Sequence, residues 1–495
     1  MPTWLAGAVV FFTSGSVLVL EILAGRLLAP YVGIRLETYT AVIGTVLAGI
    51  AMGTWLGGRL ADRVDPRRTL GPLMVAGGGL AMLSLPLVRA GGTPGTVGNE
   101  SILMLAMIGF FPSAAVLSAV HPTVVKLQLR DLDETGQVVG RLSGLGTAGA
   151  IAGTFVAGFV LVAAAATSTV IIAVGAALVV TGLLLWAGLA RPRPSATMLA
   201  LALLAAAASG GLASASDNPC DVETRYHCAR IIPDPTRDGG RALWLDILRH
   251  SYVDLDDPAH LELRYSKVFA DMIAAAPPAT GGNRPLDALH IGGGGFTMPR
   301  YLAATHPGSR HLVLEIDPKL VELARDRLGL VPGPRLRVEV GDARLLMRRL
   351  PSGSQDVVLG DAFGDRAVPW HLTTREFITD IHRILRPGGL YLLNLIDYPP
   401  LRFARAEVAT LAGVFGHVAV VAPPALLAGR RGGNYVVAAS DRPFDGARLQ
   451  SLIESRRGEE QAVVAGDAVR FAGDGRVLTD DYAPVDQWLA RSRRR

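Results

Sequence analysis

Three acidic residues in the C-terminal half occupy equivalent places, each at the end of a short apolar run. Glu315 closes the run in "LVLEIDP", Asp342 follows the run in "VEVGDAR" and Asp361 follows the run in "VVLGDAFGD". Upstream, "LHIGGGGFTMPRYL" sets four glycines, Gly292, Gly293, Gly294 and Gly295, between an apolar run and a helical pattern. A glycine turn there lets a ligand approach the backbone closely, and the first amides of the helix can face its polar groups. Glu315 follows by about twenty residues, the spacing at which an acidic side chain commonly accepts hydrogen bonds from ribose hydroxyls. Each carboxylate alone reads as a helix N-cap. Three at successive strand ends beside a glycine turn read as a nucleoside site, although a glycine turn by itself is weak because many dinucleotide enzymes have one.

The elements that must position these residues show as alternation. Strands are expected at 287–292, 311–315, 335–340, 355–360, 390–396, 417–422 and 434–439, with helices at 297–305, 318–329, 343–350, 373–385 and 400–415. This order predicts a mainly parallel sheet covered by helices on both faces, with ligands at the carboxyl ends of the strands. Before it, residues 222–265 carry short extended runs around "GGRALWLD", expected as a small β-rich lead-in.

The first half is of another kind. Of 495 residues 50% are hydrophobic and 18% charged, and the mean hydropathy of +0.35 is high for a soluble chain. Most of the uninterrupted apolar runs precede residue 215, which predicts three parts: a transmembrane helical domain at 1–215, a β-rich lead-in at 216–285 and a Rossmann-like catalytic domain at 286–495. Seven segments, near 4–28, 39–58, 69–88, 101–122, 143–164, 168–189 and 196–214, reach the roughly 20 residues needed to span. The protein is therefore expected in the cell membrane, multi-pass, with the lipid bilayer as a partner. Glycines recur in "GLGTAGAIAGTFVAGF", as close helix packing requires, or as a transport path would. Glu21 and Arg26 fall in or at the end of the first span, where charge needs a partner. They form one helix-end pair or line a polar cavity. Net charge is +5, but no basic patch with interleaved aromatics is present, so no nucleic-acid partner is expected, and the closing "RSRRR" suits a solvated tail near anionic lipid.

"GGGG", "EIDP", "GDAR" and "DAF", with "ETRY" and "LDILRHSYVDLDDPAHLELRY" upstream, resemble the spermidine synthases, the polyamine aminopropyltransferases. The chain is most similar to their membrane-fused members, the fused major-facilitator and spermidine synthase-like proteins, and the likeness covers about 222–440. The resemblance implies a class I methyltransferase-like (Rossmann-like) fold and decarboxylated S-adenosylmethionine as co-substrate, or S-adenosylmethionine, with no metal. It places His250 where the family has a cofactor-binding Gln, Tyr265 at the substrate-side Tyr, Glu315 on the ribose, Asp342 with the following Ala343 near the adenine, and Asp361 as proton acceptor. Asp365 is a weaker second candidate, and Asp480, Asp481 and Tyr482 in "VLTDDYAPVD" could supply carboxylates for an amine or dock a terminal helix. The implied reaction passes an aminopropyl group to a small amine or polyamine such as putrescine; a homo-oligomer is a possible assembly.

Two departures bear on this reading. The family's glycine motif has Asp in its fourth place, where it pairs with the amino group of the aminopropyl tail, and here that place is Gly295. Its loss removes an obstacle to ordinary S-adenosylmethionine, whose tail carries a carboxylate, so a methyltransferase is the alternative; a non-catalytic S-adenosyl-sensing domain on a transporter-like bundle is another. The aromatic residue of the family's later acceptor loop is also missing, with Arg430 and Arg431 in "PPALLAGRRGGNY" instead.

Arginine and lysine concentrate in "GRLADRVDPRR", "KLQLRDLDETGQVVGR" and "RPRPS", which the positive-inside rule puts in the cytoplasm. Seven complete spans leave the C-terminal half outside, in keeping with the signal-like "RPRPSATMLALALLAAAASGGLASAS" and with Cys220 and Cys228, which are either a disulfide or two separate thiols. A re-entrant seventh segment would leave that half in the cytoplasm, where S-adenosyl compounds are made. On the seven-span reading, a reporter fused after Ser216 lies outside and the two cysteines resist alkylation until reduced. Cytoplasmic reporter activity with freely alkylated thiols would show an even number of spans.

Overall fold

The computed structural model describes residues 1–33, 36–92, 99–129, 131, 133–191, 193–276, 284–364, 367–464 and 466–492. The chain separates into two compact units, Met1–Arg230 with Leu245–Leu248, and Ile231–Trp244 with Arg249–Arg495.

In the first unit, seven helices are long and apolar enough to cross a membrane by length and composition: Thr3–Val32, Glu37–Arg63, Pro66–Gly91, Ile102–Gln128, Thr135–Ala164, Thr167–Leu189 and Ala196–Ala215. Every expected segment is present; the fourth runs six residues further, to Gln128, and the fifth starts eight earlier, at Thr135. Glycine decides how closely two of them pack. A Cβ on Gly149 would lie 2.2 Å from the Phe11 carbonyl oxygen, and one on Gly153 would lie 2.4 Å from that of Gly15, so the fifth helix rests backbone to backbone on the first.

The two charges of the first helix do not form an ion pair. Arg26 donates to the carbonyl of Thr224 at 2.6 Å and to that of Arg225. Glu21 Oε2 is buried with no hydrogen-bond partner among the described residues. Both line a cavity of about 330 Å3, which selects the polar-cavity alternative. Cys220 and Cys228 are joined in a disulfide.

The lead-in forms a four-stranded sheet in the order β1-β2-β3-β4, from β1 (Val222–Glu223), β2 (Cys228–Pro233), β3 (Gly240–Leu245) and β4 (Leu248–Asp254). The main sheet holds β5 (Asp287–Ile291), β6 (Arg310–Glu315), β7 (Leu336–Val340), β8 (Gln355–Gly360), β9 (Leu385–Asp397), β10 (His417–Ala422), β11 (Gly433–Ser440) and β12 (Gln461–Val464), in the order β12-β10-β11-β9-β8-β5-β6-β7. Pairing is parallel from β7 to β9 and antiparallel from β9 to β12. All seven expected strands are present; β12 was not expected, and β9 starts at Leu385, where a helix was expected to end. Central strands covered on both faces must be apolar throughout, and Val357, Val358 and Leu359 of β8 are buried accordingly.

Helices hold the strand ends at fixed places. Helix Arg375–Ile384 turns Phe377, Ile378, Ile381 and Ile384 toward the sheet. Helix Pro318–Arg327 starts sharply because Pro318 opens it and Asp317 accepts from the Lys319 and Leu320 amides at 3.1 and 3.4 Å. The chain runs outward from β5 through β6 to β7, then returns to β8 on the other side of β5. The loops leaving β5 and β8 therefore diverge, and the crevice between them is where open α/β sheets bind ligands.

Candidate active site

The glycine turn and Asp361 stand on the two sides of this crevice. The Gly292 amide donates to the Leu314 carbonyl and the Asp361 amide to that of Ile291, both at 2.9 Å, so sheet hydrogen bonding continues one residue past each strand. Gly292 has φ of 91°, and a Cβ on it would lie 2.5 Å from the Asp361 carbonyl oxygen. Only glycine lets the two loops approach this closely.

Glu315, at the end of β6, is buried against the turn. Its Oε2 accepts from the Gly293 amide at 2.7 Å and the Gly294 amide at 3.3 Å, and its Oε1 accepts from the Asp317 amide at 2.9 Å. Burial raises its pKa, and these amides oppose the rise. The carboxylate thus shapes the turn. Asp342 caps the helix Ala343–Met347 through the Leu345 amide at 3.2 Å, and its other oxygen lies 3.1 Å from His371 Nε2. Ala343 beside it is buried.

Asp361 follows the last residue of β8. Its Oδ1 accepts from Asn394 Nδ2 at 2.9 Å, and the Tyr265 hydroxyl donates to the same carboxylate. Asn394 is fixed in turn, because its Oδ1 accepts from Asn434 Nδ2 at 2.9 Å. Burial pushes the Asp361 pKa up to about 6, against the lowering effect of Asn394 and Tyr265. The Tyr265 hydroxyl is pushed well above its ordinary value, by burial first and then by the Asp361 charge, so it stays protonated and donates. Tyr265 lies in the first turn of helix Arg264–Ala275, and its ring meets that of Phe269 edge-on at 5.7 Å.

His250 on β4 lies beside the turn: a Cβ on Gly294 would be 3.6 Å from its Nδ1, and its ring meets Phe363 edge-on at 5.9 Å. Gly295 is occupied differently from the expectation. Its amide donates to Ser251 Oγ at 3.0 Å, and a Cβ on it would lie 2.8 Å from Ser251 Cβ. A side chain at 295 would strike β4, so restoring the family's Asp also requires Ser251 to give way.

Thus His250, Gly292 to Gly295, Glu315 and Asp361 with Tyr265 surround one crevice, with Asp342 and Ala343 at the end of neighbouring β7. Asp365 lies outside the described residues. In the C-terminal segment, Asp480 docks, accepting from Arg344 at 2.8 and 2.6 Å and from Thr374 Oγ1 at 2.7 Å, while Asp481 is exposed and Tyr482 stacks with Arg476 at 3.7 Å. Arg430 and Arg431 are exposed. Sequence reasoning missed Asn394, Asn434, Ser251 and His371. Asn394 had a signal, a lone amide inside the apolar "LLNLI".

The strand order and the switch-point crevice define a Rossmann-like methyltransferase fold. A family model described as a methyltransferase domain matches residues 289–393. The polyamine aminopropyltransferase of Vibrio vulnificus is 34% identical over 135 residues, 27% of this chain and 44% of that protein. The eEF1A lysine and N-terminal methyltransferase of Xenopus laevis is 25% identical over 150 residues, 28% of this chain and 22% of that protein. The crystal structure of a probable spermidine synthase from Corynebacterium glutamicum aligns with a TM-score of 0.50 at 31% identity, covering 53% of this chain and 97% of that one. The C-terminal part of the chain is therefore a spermidine synthase-like domain of the methyltransferase fold, and its relatives are transferases by name. The chain spans about half the length of the curated aminopropyltransferases it matches.

Because Ser251 fills the space beside Gly295, Gly295→Ala should destabilise the protein by about 1 to 3 kcal/mol, as overpacking does. Ser251→Gly should restore part of the loss, so that the double variant is more stable than the sum of the singles predicts, in denaturant unfolding of the purified chain. A Gly295→Ala variant as stable as the parent would show that the contact is not made.

Proposed function

We propose that the C-terminal unit transfers an aminopropyl group from decarboxylated S-adenosylmethionine to a small amine such as putrescine, with Asp361 accepting the proton. The observation that carries this reading is the buried Asp361 carboxylate, held by Tyr265 and Asn394 across the crevice from the glycine turn. The nucleoside fits the residues present: the Gly292 backbone admits close approach, and Glu315 and Asp342 offer carboxylates at the ends of β6 and β7. The donor supplies a sulfonium whose propyl carbon accepts the amine lone pair while the carbon–sulfur bond breaks toward sulfur, releasing methylthioadenosine.

An alkylamine, with a pKa of about 10.4 when it resembles lysine, reaches the site as an ammonium. Asp361 attracts it, orients it and takes its proton. A pKa of about 6 leaves the carboxylate mostly ionised at neutral pH yet basic enough for that task. Tyr265 keeps its own proton and positions the carboxylate. Methyl transfer is the second reading, favoured by Gly295, which leaves the donor tail without the family's acidic partner, and by the likeness to a methyltransferase.

The seven apolar helices support a multi-pass membrane protein. Phe159, Leu184 and Leu204 are 72%, 69% and 65% exposed, a surface that lipid would cover and water disfavours.

Incubating purified protein with putrescine or spermidine and each sulfonium donor separates the readings by product mass. Aminopropyl transfer adds C3H7N and releases methylthioadenosine; methyl transfer adds CH2 and releases S-adenosylhomocysteine. Asp361→Asn should lower turnover by about 10² to 10⁴-fold while sparing nucleoside binding. Addition of CH2 alone would overturn the leading reading, and an Asp361→Asn variant within about threefold of the parent would remove Asp361 from its role.

A further inference from the structure

The cavity of about 330 Å3 in the helical unit belongs to no part of the proposed chemistry. Its lining comes from one end of the bundle: Tyr39 near the start of the second helix, Arg89 near the end of the third, Thr167 at the start of the sixth, and the disulfide segment that follows the seventh. Glu21 lies deeper, eleven residues before the end of helix Thr3–Val32, or about 16 Å at 1.5 Å per residue. Arg67 and Arg68 stand at the start of the third helix, whose other end carries Arg89, and Arg191 follows the sixth, whose other end carries Thr167.

The charged groups of the lining have partners among the described residues, apart from one carboxylate oxygen. Arg26 is engaged by the carbonyls of Thr224 and Arg225. Arg89 donates to Ser216 O and Oγ at 3.0 and 2.8 Å, and lies 3.8 Å from Glu223. Glu223 also accepts from the Ser168 amide and hydroxyl at 3.2 and 2.9 Å and from Asn218 at 2.9 Å. Asp246 holds His227 at 2.9 Å and the Cys228 amide at 3.0 Å. Glu21 Oε2 is buried without a hydrogen-bond donor among the described residues, and Ile22, Leu27, Val42 and Ile43 line the same space. A buried carboxylate oxygen without a donor is costly, and a group that brings N–H donors and positive charge offsets that cost most fully. A single carboxylate among aliphatic side chains does not supply the six or more oxygens a hard metal ion takes. Those side chains suit a hydrocarbon stem.

We propose that this cavity is a binding site for a small alkylammonium ion, with the Glu21 carboxylate as its counter-ion. The inference rests on the helical unit alone, so it stands or falls apart from the transferase reading.

The test uses the full chain in detergent without any sulfonium donor. Equilibrium dialysis with radiolabelled 1,4-diaminobutane should show a site that Asp361→Asn retains and that Glu21→Gln weakens by at least about tenfold, as loss of a buried counter-ion does. A second measurement needs no variant to fold: a hydrophobic carbodiimide should modify Glu21 in the parent protein, as read by peptide mass spectrometry, and the diamine should slow that modification while 1,4-butanediol does not. Modification at the same rate with and without the diamine overturns the assignment, whatever the variant does.

Discussion

A carboxylate withdrawn from water at the end of β8 sets the terms for the rest of the crevice. Raising the Asp361 pKa from its ordinary 3.8 to about 6 disfavours the ionised form, at about 1.4 kcal/mol per pKa unit. Two donors oppose that cost, Tyr265 from a helix and Asn394 from β9. Asn394 can aim its amide at Asp361 because Asn434 on β11 takes up its other end. The register that brings this about is specific: Val436 lies opposite Asn394 and Asn434 opposite Ile396. A slip of β11 by one residue would turn Asn434 to the opposite face and leave Asn394 without the partner that fixes its amide.

The opposite wall depends on an absence of side chains. Gly292 lets the β5 loop touch the backbone at Asp361, and Glu315 holds the next two amides, so the turn is preorganised before any nucleoside arrives. Gly295 follows the same logic toward β4, where Ser251 takes the space a side chain would need. The missing acid of the glycine motif is therefore a change in packing as well as in charge. Both consequences bear on which sulfonium the crevice accepts.

Much of this was legible from local pattern. Seven strands followed from apolar runs between helical patterns, because a covered parallel sheet must be apolar on both faces. The positions of Glu315, Asp342 and Asp361 followed because strand ends are where such runs stop. β12 was not legible, since "QAVV" is too short to carry a period, and helix Arg264–Ala275 lies almost wholly beyond the 222–265 stretch read as extended, where no element was assigned. Ser251, Asn394 and Asn434 could not be assigned because their roles come from partners far along the chain: 44 residues separate Ser251 from Gly295, and 40 separate Asn394 from Asn434. Asp480 shows the converse. An acid that could have met an amine is engaged by Arg344 instead, at a separation of 136 residues.

The pH dependence of kcat tests the proton-acceptor role of Asp361 most directly, with Asn394→Ala as the comparison. A base must be ionised to act, so turnover in the parent should fall as pH drops through about 6. Asn394 favours the ionised form, so its removal should raise the Asp361 pKa and move that acidic limb to higher pH. An acidic limb in Asn394→Ala that coincides with the parent's, or lies below it, would contradict the assignment of Asp361 as the group that takes the proton.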